Sequence, residues 1–180
     1  MLCSITRTGS SALRARTLKP LCGFAAAAAC VNGPWRGCMK FGELDPSERP
    51  KVNAFYQLTT YKRPVSESDR VFVAEDAGMI YGAVRIESID GVQVLRGMYM
   101  HPDYLRQGIG RRLLKAIEPP LSETESFCIP RDNLFSFYGR AGFNVIDQNE
   151  APSFLSKRLA SYVEEGLPVA IMHRSQGEAY

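Results

Sequence analysis

The sequence predicts an α/β fold that starts near residue 40, and three observations carry that expectation. Two long strand-like runs, 80–89 and 92–100, are separated by Asp90-Gly91, the strongest short signal for a β-hairpin. Ile109, Leu113, Leu114 and Ile117 then recur at helical spacing, directly after a turn that carries Gly108 and Gly110. Further strand-like and helix-like segments follow in turn as far as Arg174.

Taken in order, residues 40–44 read as a short first strand. Asp45 or Ser47 caps a helix that tolerates Pro46 or Pro50 in its first turn and presents Val52, Phe55, Tyr56 and Thr59 on one face. Residues 61–69 are polar, contain Pro64 and read as a loop. Residues 71–74 form a strand, 75–78 a turn, and the hairpin follows. Pro102 ends its second strand. The helix over 109–117 stops at Pro119-Pro120. Residues 126–130 read as a strand and 134–141 as a helix, capped by Asn133 or Asp132 and ended by Gly142. Residues 144–146 read as a strand. A late amphipathic helix over 152–165 turns Phe154, Leu155, Leu159 and Tyr162 inward, and 168–174 is the last strand.

Composition narrows the function. At 180 residues and 45% hydrophobic content, the chain has room for one domain with a substantial core. No apolar run is long enough to span a bilayer, so no membrane role is expected. The net charge of +3 is unevenly held. Residues 1–40 contain Arg7, Arg14, Arg16, Lys19, Arg36 and Lys40 and no acid, which leaves 16 basic residues against all 19 acids afterwards, a net of −3. That balance lacks the basic field of a nucleic-acid-binding protein. His101 and His173 are the only histidines, no CxxC occurs, and no metal site is expected.

Residues 1–38 are rich in Ser, Ala, Arg and Gly and are read as a leader outside the fold. An organelle transit peptide, a weak secretory signal and translation from upstream of the natural start all fit them, the last with Met39 as initiator and preferred here. Residues 39–175 are then one domain, and 176–180 a polar tail. Cys128 alone of the five cysteines lies in that domain, which fits a reducing, cytoplasmic setting, or an organelle if the leader is a transit peptide.

The most informative stretch runs from Met98-Tyr99-Met100-His101-Pro102 to Gln107-Gly108-Ile109-Gly110-Arg111-Arg112. A strand ends, glycines occupy alternate positions, and a helix begins, so several backbone N–H groups are offered to an anion at a helix N-terminus. Arg106, Arg111 and Arg112 add positive charge. An ordinary glycine-rich turn with a basic solvated face is the plainer alternative. These residues resemble the acetyl-CoA turn of the GNAT N-acetyltransferase superfamily, with one departure: the motif's first Arg/Gln position falls on Leu105, and an arginine follows at Arg106. The segment from Asn133 through Phe137-Tyr138 to Gly142-Phe143 resembles that family's second signature.

The resemblance implies a mixed, mostly antiparallel central sheet flanked by helices, with 152–165 an added helix before the last strand. It implies acetyl-CoA as co-substrate and no metal. Met98, Tyr99 and Met100 would line the pantetheine arm, and the Met98 N–H would polarise the acetyl carbonyl. Arg106, Gln107, Gly108, Ile109, Gly110 and Arg111 would hold the diphosphate, with Asn133 a further cofactor contact. Tyr138 would donate a proton to the departing thiolate. Its alternative is a packed ring that merely hydrogen-bonds.

The base is less plain. Many relatives carry a glutamate on the pantetheine strand at the position that Val94 fills here. With Asp90-Gly91 as a two-residue turn, Val94 faces Glu87 and Arg85 faces Arg96, so Glu87 becomes the candidate base. Pairing of Glu87 with Arg85 or Arg96 alone is the alternative. Two opposed arginines repel unless Glu87, solvent or an anion such as an acceptor carboxylate offsets them. The expected activity is N-acetylation of a primary amine on a small molecule or peptide, with a homodimer left open. A catalytically silent CoA-binding module is the alternative. A nucleotide-binding protein is disfavoured by the missing GK[ST] ending.

Overall fold

The structure is a computed structural model that describes residues 39–61 and 63–177. The leader, and every expectation attached to it, lies outside the described residues. The strands are β1 (Lys40–Glu43), β2 (Arg70–Asp76), β3 (Met79–Ile89), β4 (Val92–Met100), β5 (Ser126–Cys128), β6 (Asn144–Val145) and β7 (Met172–Arg174). The helices are α1 (Arg49–Gln57), α2 (Ile109–Ala116), α3 (Glu118–Leu121), α4 (Phe135–Gly139) and α5 (Ser153–Glu164).

The strands make one sheet in the order β1-β2-β3-β4-β5-β7-β6. Every pairing is antiparallel except β4 with β5, which run parallel. The turn at Asp90-Gly91 has φ of 49° and 82°, the left-handed pair that a tight hairpin needs. It fixes the expected register, with Glu87 opposite Val94 and Arg85 opposite Arg96.

Two faces are packed separately. On one, Leu113, Leu114 and Ile117 bury themselves against Phe72, Val84, Ile86 and Leu95, so α2 covers the centre of the sheet. On the other, Val52, Phe55 and Tyr56 of α1 cover Val71, Val73, Ile80 and Ala83. Farther along that second face, Leu155 of α5 meets Val94, Phe127 and Ile171. Truncating a fully buried leucine such as Leu113 or Leu155 to alanine costs about 2–5 kcal/mol.

Several local expectations change. The first helix ends at Gln57, so Thr59 falls beyond it. Pro119 and Pro120 do end α2, but they then sit in the first turn of α3, where a missing N–H costs nothing. Residues 129–130 are not strand. The last strand holds only Met172–Arg174, with a single bridge from Val169 to Arg131 ahead of it. Asp132 and Asn133 belong to a short 3-10 turn and cap nothing in α4; the Asp132 carboxylate accepts from the Asn133 N–H at 2.6 Å. In α5 only Leu155 is fully buried, while Phe154, Leu159 and Tyr162 are half-buried. No helix among the described residues is long and apolar enough to cross a membrane.

Candidate active site

The site is made where β4 leaves β5. The two strands pair only over Gln93–Leu95 with Ser126–Cys128. Beyond Leu95, β4 continues to Met100 while β5 has ended, so the edge of β4 opens. A bulge lies in the same stretch. Arg96 faces Arg85 and Tyr99 faces Ala83, so Gly97 and Met98 together oppose Val84. Gly97 has φ of 58°, and a side chain there would come within 3.0 Å of the Tyr56 hydroxyl, so both conformation and space require glycine. Tyr56 fastens the bulge from α1: its hydroxyl donates to the Gly97 carbonyl at 2.7 Å.

The bulge turns Met98 and Met100 to the α2 face, where both pack half-buried on the core. Tyr99 turns the other way, against the α1 cluster, with its ring 5.2 Å from that of Tyr61. The predicted contacts at Met98, Tyr99 and Met100 therefore share one strand but split between faces.

Past Pro102 the chain reaches the glycine turn. Arg106 and Gly108 both have left-handed φ, 59° and 80°, and Gly108 is the N-cap of α2. No atom lies within 4 Å of where a Gly108 side chain would stand, so the space over the turn is open. Arg106, Gln107 and Gly108 are exposed, whereas the Ile109 side chain is buried and only its main chain reaches the turn. Arg111 continues the basic surface along α2. Arg112 does not: its guanidinium lies 4.4 Å above the Phe41 ring, away from the turn. Between α2 and α4 runs a groove of about 440 Å³, lined by Arg111, Leu114, Lys115, Glu118, Phe137, Arg140 and Ala141. Lys115 lay within reach of sequence reasoning, one helical turn past Arg111; nothing in the sequence marked Arg140.

Tyr138 of α4 packs in the core beneath α2. It is buried, edge-on to Phe137 and Phe143, and lies beside Cys128 and Tyr99. Burial pushes its pKa up, with Cys128 and Tyr99 adding to the shift, so the phenol stays protonated. Asn133 is exposed at the start of the turn that leads into α4.

Glu87, Arg85 and Arg96 lie on the α1 and α5 face. Arg85 is buried and held at its two terminal nitrogens: it meets Asp69 at 3.0 Å, the Pro64 carbonyl at 2.6 Å and the Tyr61 hydroxyl. Arg96 instead pairs with Glu87, and Arg158 of α5 approaches the same Glu87 Oε2 at 3.4 Å. Burial raises the Glu87 pKa, but the Arg96 and Arg158 guanidiniums outweigh it and hold the carboxyl below its usual value. Val94, the position a base would fill on β4, is buried in the apolar cluster under α5. Among the described residues no group of three His, Cys, Asp or Glu side chains could hold a metal.

A family model described as Acetyltransferase (GNAT) domain matches residues 67–145, which contain the hairpin, the splay, the turn and Tyr138. Over those residues this chain carries the pattern of a GNAT acetyltransferase domain. The match supports an acetyl-CoA-dependent acyltransferase. Solved structures with the same fold include the ribosomal-protein-S18-alanine N-acetyltransferase from Escherichia coli, at 19% identity and a TM-score of 0.57, covering 79% of this chain and 96% of that one. N-acetylglutamate synthase from Neisseria gonorrhoeae, complexed with coenzyme A and N-acetyl-glutamate, matches at 15% identity and TM-score 0.59, over 78% of this chain and 35% of that one. An aminoglycoside 6'-N-acetyltransferase complexed with coenzyme A matches at 11% identity and TM-score 0.55, over 79% and 99%. At these identities the likeness is one of fold. No curated protein sequence gives a significant match.

Proposed function

We propose that this protein transfers the acetyl group of acetyl-CoA to a primary amine of a small molecule or peptide. The observation that carries the reading is the splay of β4 from β5, which holds the Met98 bulge in its gap and leads directly to the open turn at the N-terminus of α2. A diphosphate suits that turn, because N–H groups and the helix dipole both favour an anion there. Arg111, Lys115 and Arg140 suit the remaining phosphate of the cofactor. The pantetheine arm then follows the unpaired edge of β4 towards Met98. The three structural neighbours described above are all named for acetylation or are bound to coenzyme A, which agrees with this reading.

The free amine attacks the thioester carbonyl, and negative charge gathers on its oxygen. The Met98 N–H faces that oxygen and stabilises it. Collapse breaks the carbon–sulfur bond and leaves a thiolate. Tyr138 is the donor to that sulfur. Because burial makes its phenol a weak acid, its first contribution is a hydrogen bond to the thiolate, with proton delivery following as solvent re-enters. Glu87, kept ionised by two arginines, is a weak base, and the amine loses its proton to water or through Glu87 by way of water.

A second reading, a CoA-binding module without turnover, is favoured by one observation: the base position on β4 is the buried Val94. Thiol release from acetyl-CoA over a panel of amino acids, polyamines, aminoglycosides and peptide N-termini separates the two. Gly108→Val tests the cofactor site. At φ of 80° a β-branched residue is strained by about 1–3 kcal/mol and fills the space a diphosphate needs. Acetyl-CoA affinity should fall at least tenfold in protein that still melts cooperatively. Unchanged affinity moves the cofactor elsewhere.

A further inference from the structure

Arg96, Glu87 and Arg158 form a cluster that is unbalanced in charge and incompletely used. Both arginines converge on one oxygen, Glu87 Oε2, so two positive charges meet a single negative one. The three side chains are 15%, 23% and 22% exposed, half-buried rather than bathed in solvent. A guanidinium carries five N–H donors, and one shared carboxylate oxygen engages few of them. The neighbouring Arg85 has the opposite arrangement, with an acid, a carbonyl and a hydroxyl around it.

The cluster also stands in a telling place. Arg96 immediately precedes the Gly97–Met98 bulge, with Tyr61 and Tyr162 beside its guanidinium. It lies on the face opposite α2, whose N-terminus and basic groove serve the other side of the sheet. A molecule meeting the acetyl group from this face passes Arg96 first. Arg158 is supplied by α5, which lies outside residues 67–145 and so belongs to the part of the chain the family model does not reach.

We propose that the acceptor is an amino-acid-like zwitterion, whose carboxylate is held by Arg96 and Arg158 and whose amine is drawn in beside Glu87. The inference rests on the acetyl-transfer reading above and names the acceptor class for that site. Excess positive charge in a half-buried cluster selects a carboxylate through charge-assisted, two-pronged hydrogen bonds. Glu87, whose contacts with both arginines fall on Oε2, keeps Oε1 for the ammonium that must dock before it loses its proton.

The experiment compares each of the common amino acids with its own carboxamide, in the presence of CoA or acetyl-CoA, by thermal shift and by thiol release. One or more acids should stabilise the CoA-bound protein and their amides should not. Arg158→Gln should lower kcat/KM for a responsive acid roughly ten- to hundredfold, the range for one lost charge-assisted hydrogen bond, and affect the amide several-fold less. Amides that bind or react as well as the acids overturn the acceptor class while acetyl transfer stands. So does an Arg158→Gln effect that is equal on both, or the lack of stabilisation by any acid. Acids that bind without thiol release keep the acceptor class and overturn acetyl transfer.

Discussion

Arg85 and Arg96 face one another across the same hairpin, on the same face of the sheet, and are used in opposite ways. Arg85 ties the 61–69 loop to β3 through Asp69, Pro64 and Tyr61, and Asp69 also accepts from the Ser66 N–H at 3.0 Å. Its charge is matched and buried, and its contacts are within the protein. Arg96 shares one carboxylate with Arg158 and is only half-buried. The repulsion that the register implies is thus offset twice, by Asp69 at Arg85 and by Glu87 at Arg96, but Glu87 must also serve Arg158. Two buried tyrosines repeat the contrast. Tyr56 gives its hydroxyl to the Gly97 carbonyl, while Tyr138 stands beside Cys128 and Tyr99.

The largest effect should come from breaking the closed pair. Asp69→Ala leaves Arg85 buried and uncompensated, at 4% exposure against 3% for its partner, and should cost about 3–5 kcal/mol in denaturant unfolding. The matching change at Glu87, in the open cluster, should cost no more than about 1 kcal/mol, because water reaches both of its arginines. Equal losses at the two positions would erase the distinction between architecture and site.

The tyrosines sharpen the contrast by a different measurement. Tyr138→Phe should lower kcat roughly a hundredfold with acetyl-CoA affinity nearly unchanged, since an interaction made in the transition state is removed. Tyr56→Phe should instead show itself in stability, by about 1 kcal/mol for one hydrogen bond. A Tyr138→Phe protein with full activity would leave the fold assignment standing and reduce that ring to packing.

The same division explains what could be read in advance. The turn, the hairpin register and Tyr138 are local features: Asp90-Gly91 dictates which residues oppose, and Gly108 with Gly110 marks the open helix start. Those positions were legible because each is specified by neighbours within a few residues. The acceptor face is assembled from distant segments. Arg158 meets Glu87 across 71 positions and Tyr56 reaches Gly97 across 41, and no local pattern announces either contact. The bulge at Gly97 was also hidden, because its glycine is demanded by Tyr56 and Tyr61 packing from outside the strand. The elements β6, β7 and α4 are shorter than the sequence pattern predicts.

The smallest effect belongs to Glu87, where sign matters more than size. Its folded pKa lies below the usual carboxylate value because Arg96 and Arg158 prevail over burial. The stability it contributes is therefore fully present above the unfolded pKa and is lost as pH falls through the lowered folded one. Unfolding of wild type and Glu87→Gln should differ modestly near neutral pH and converge in acid. Catalysis separates two roles for the same group. As an anchor for the acceptor ammonium, Glu87 stays ionised throughout the working range, so Glu87→Gln should raise the acceptor KM by a factor that stays constant from mildly acidic to neutral pH, where the amine is fully protonated. As a base, it would matter most where the amine is protonated, and the defect in kcat/KM would grow as pH falls and shrink as free amine becomes abundant. A loss constant from mildly acidic to neutral pH assigns Glu87 to the open cluster with Arg96 and Arg158; a loss confined to low pH makes it the proton acceptor and removes the need for water in that step.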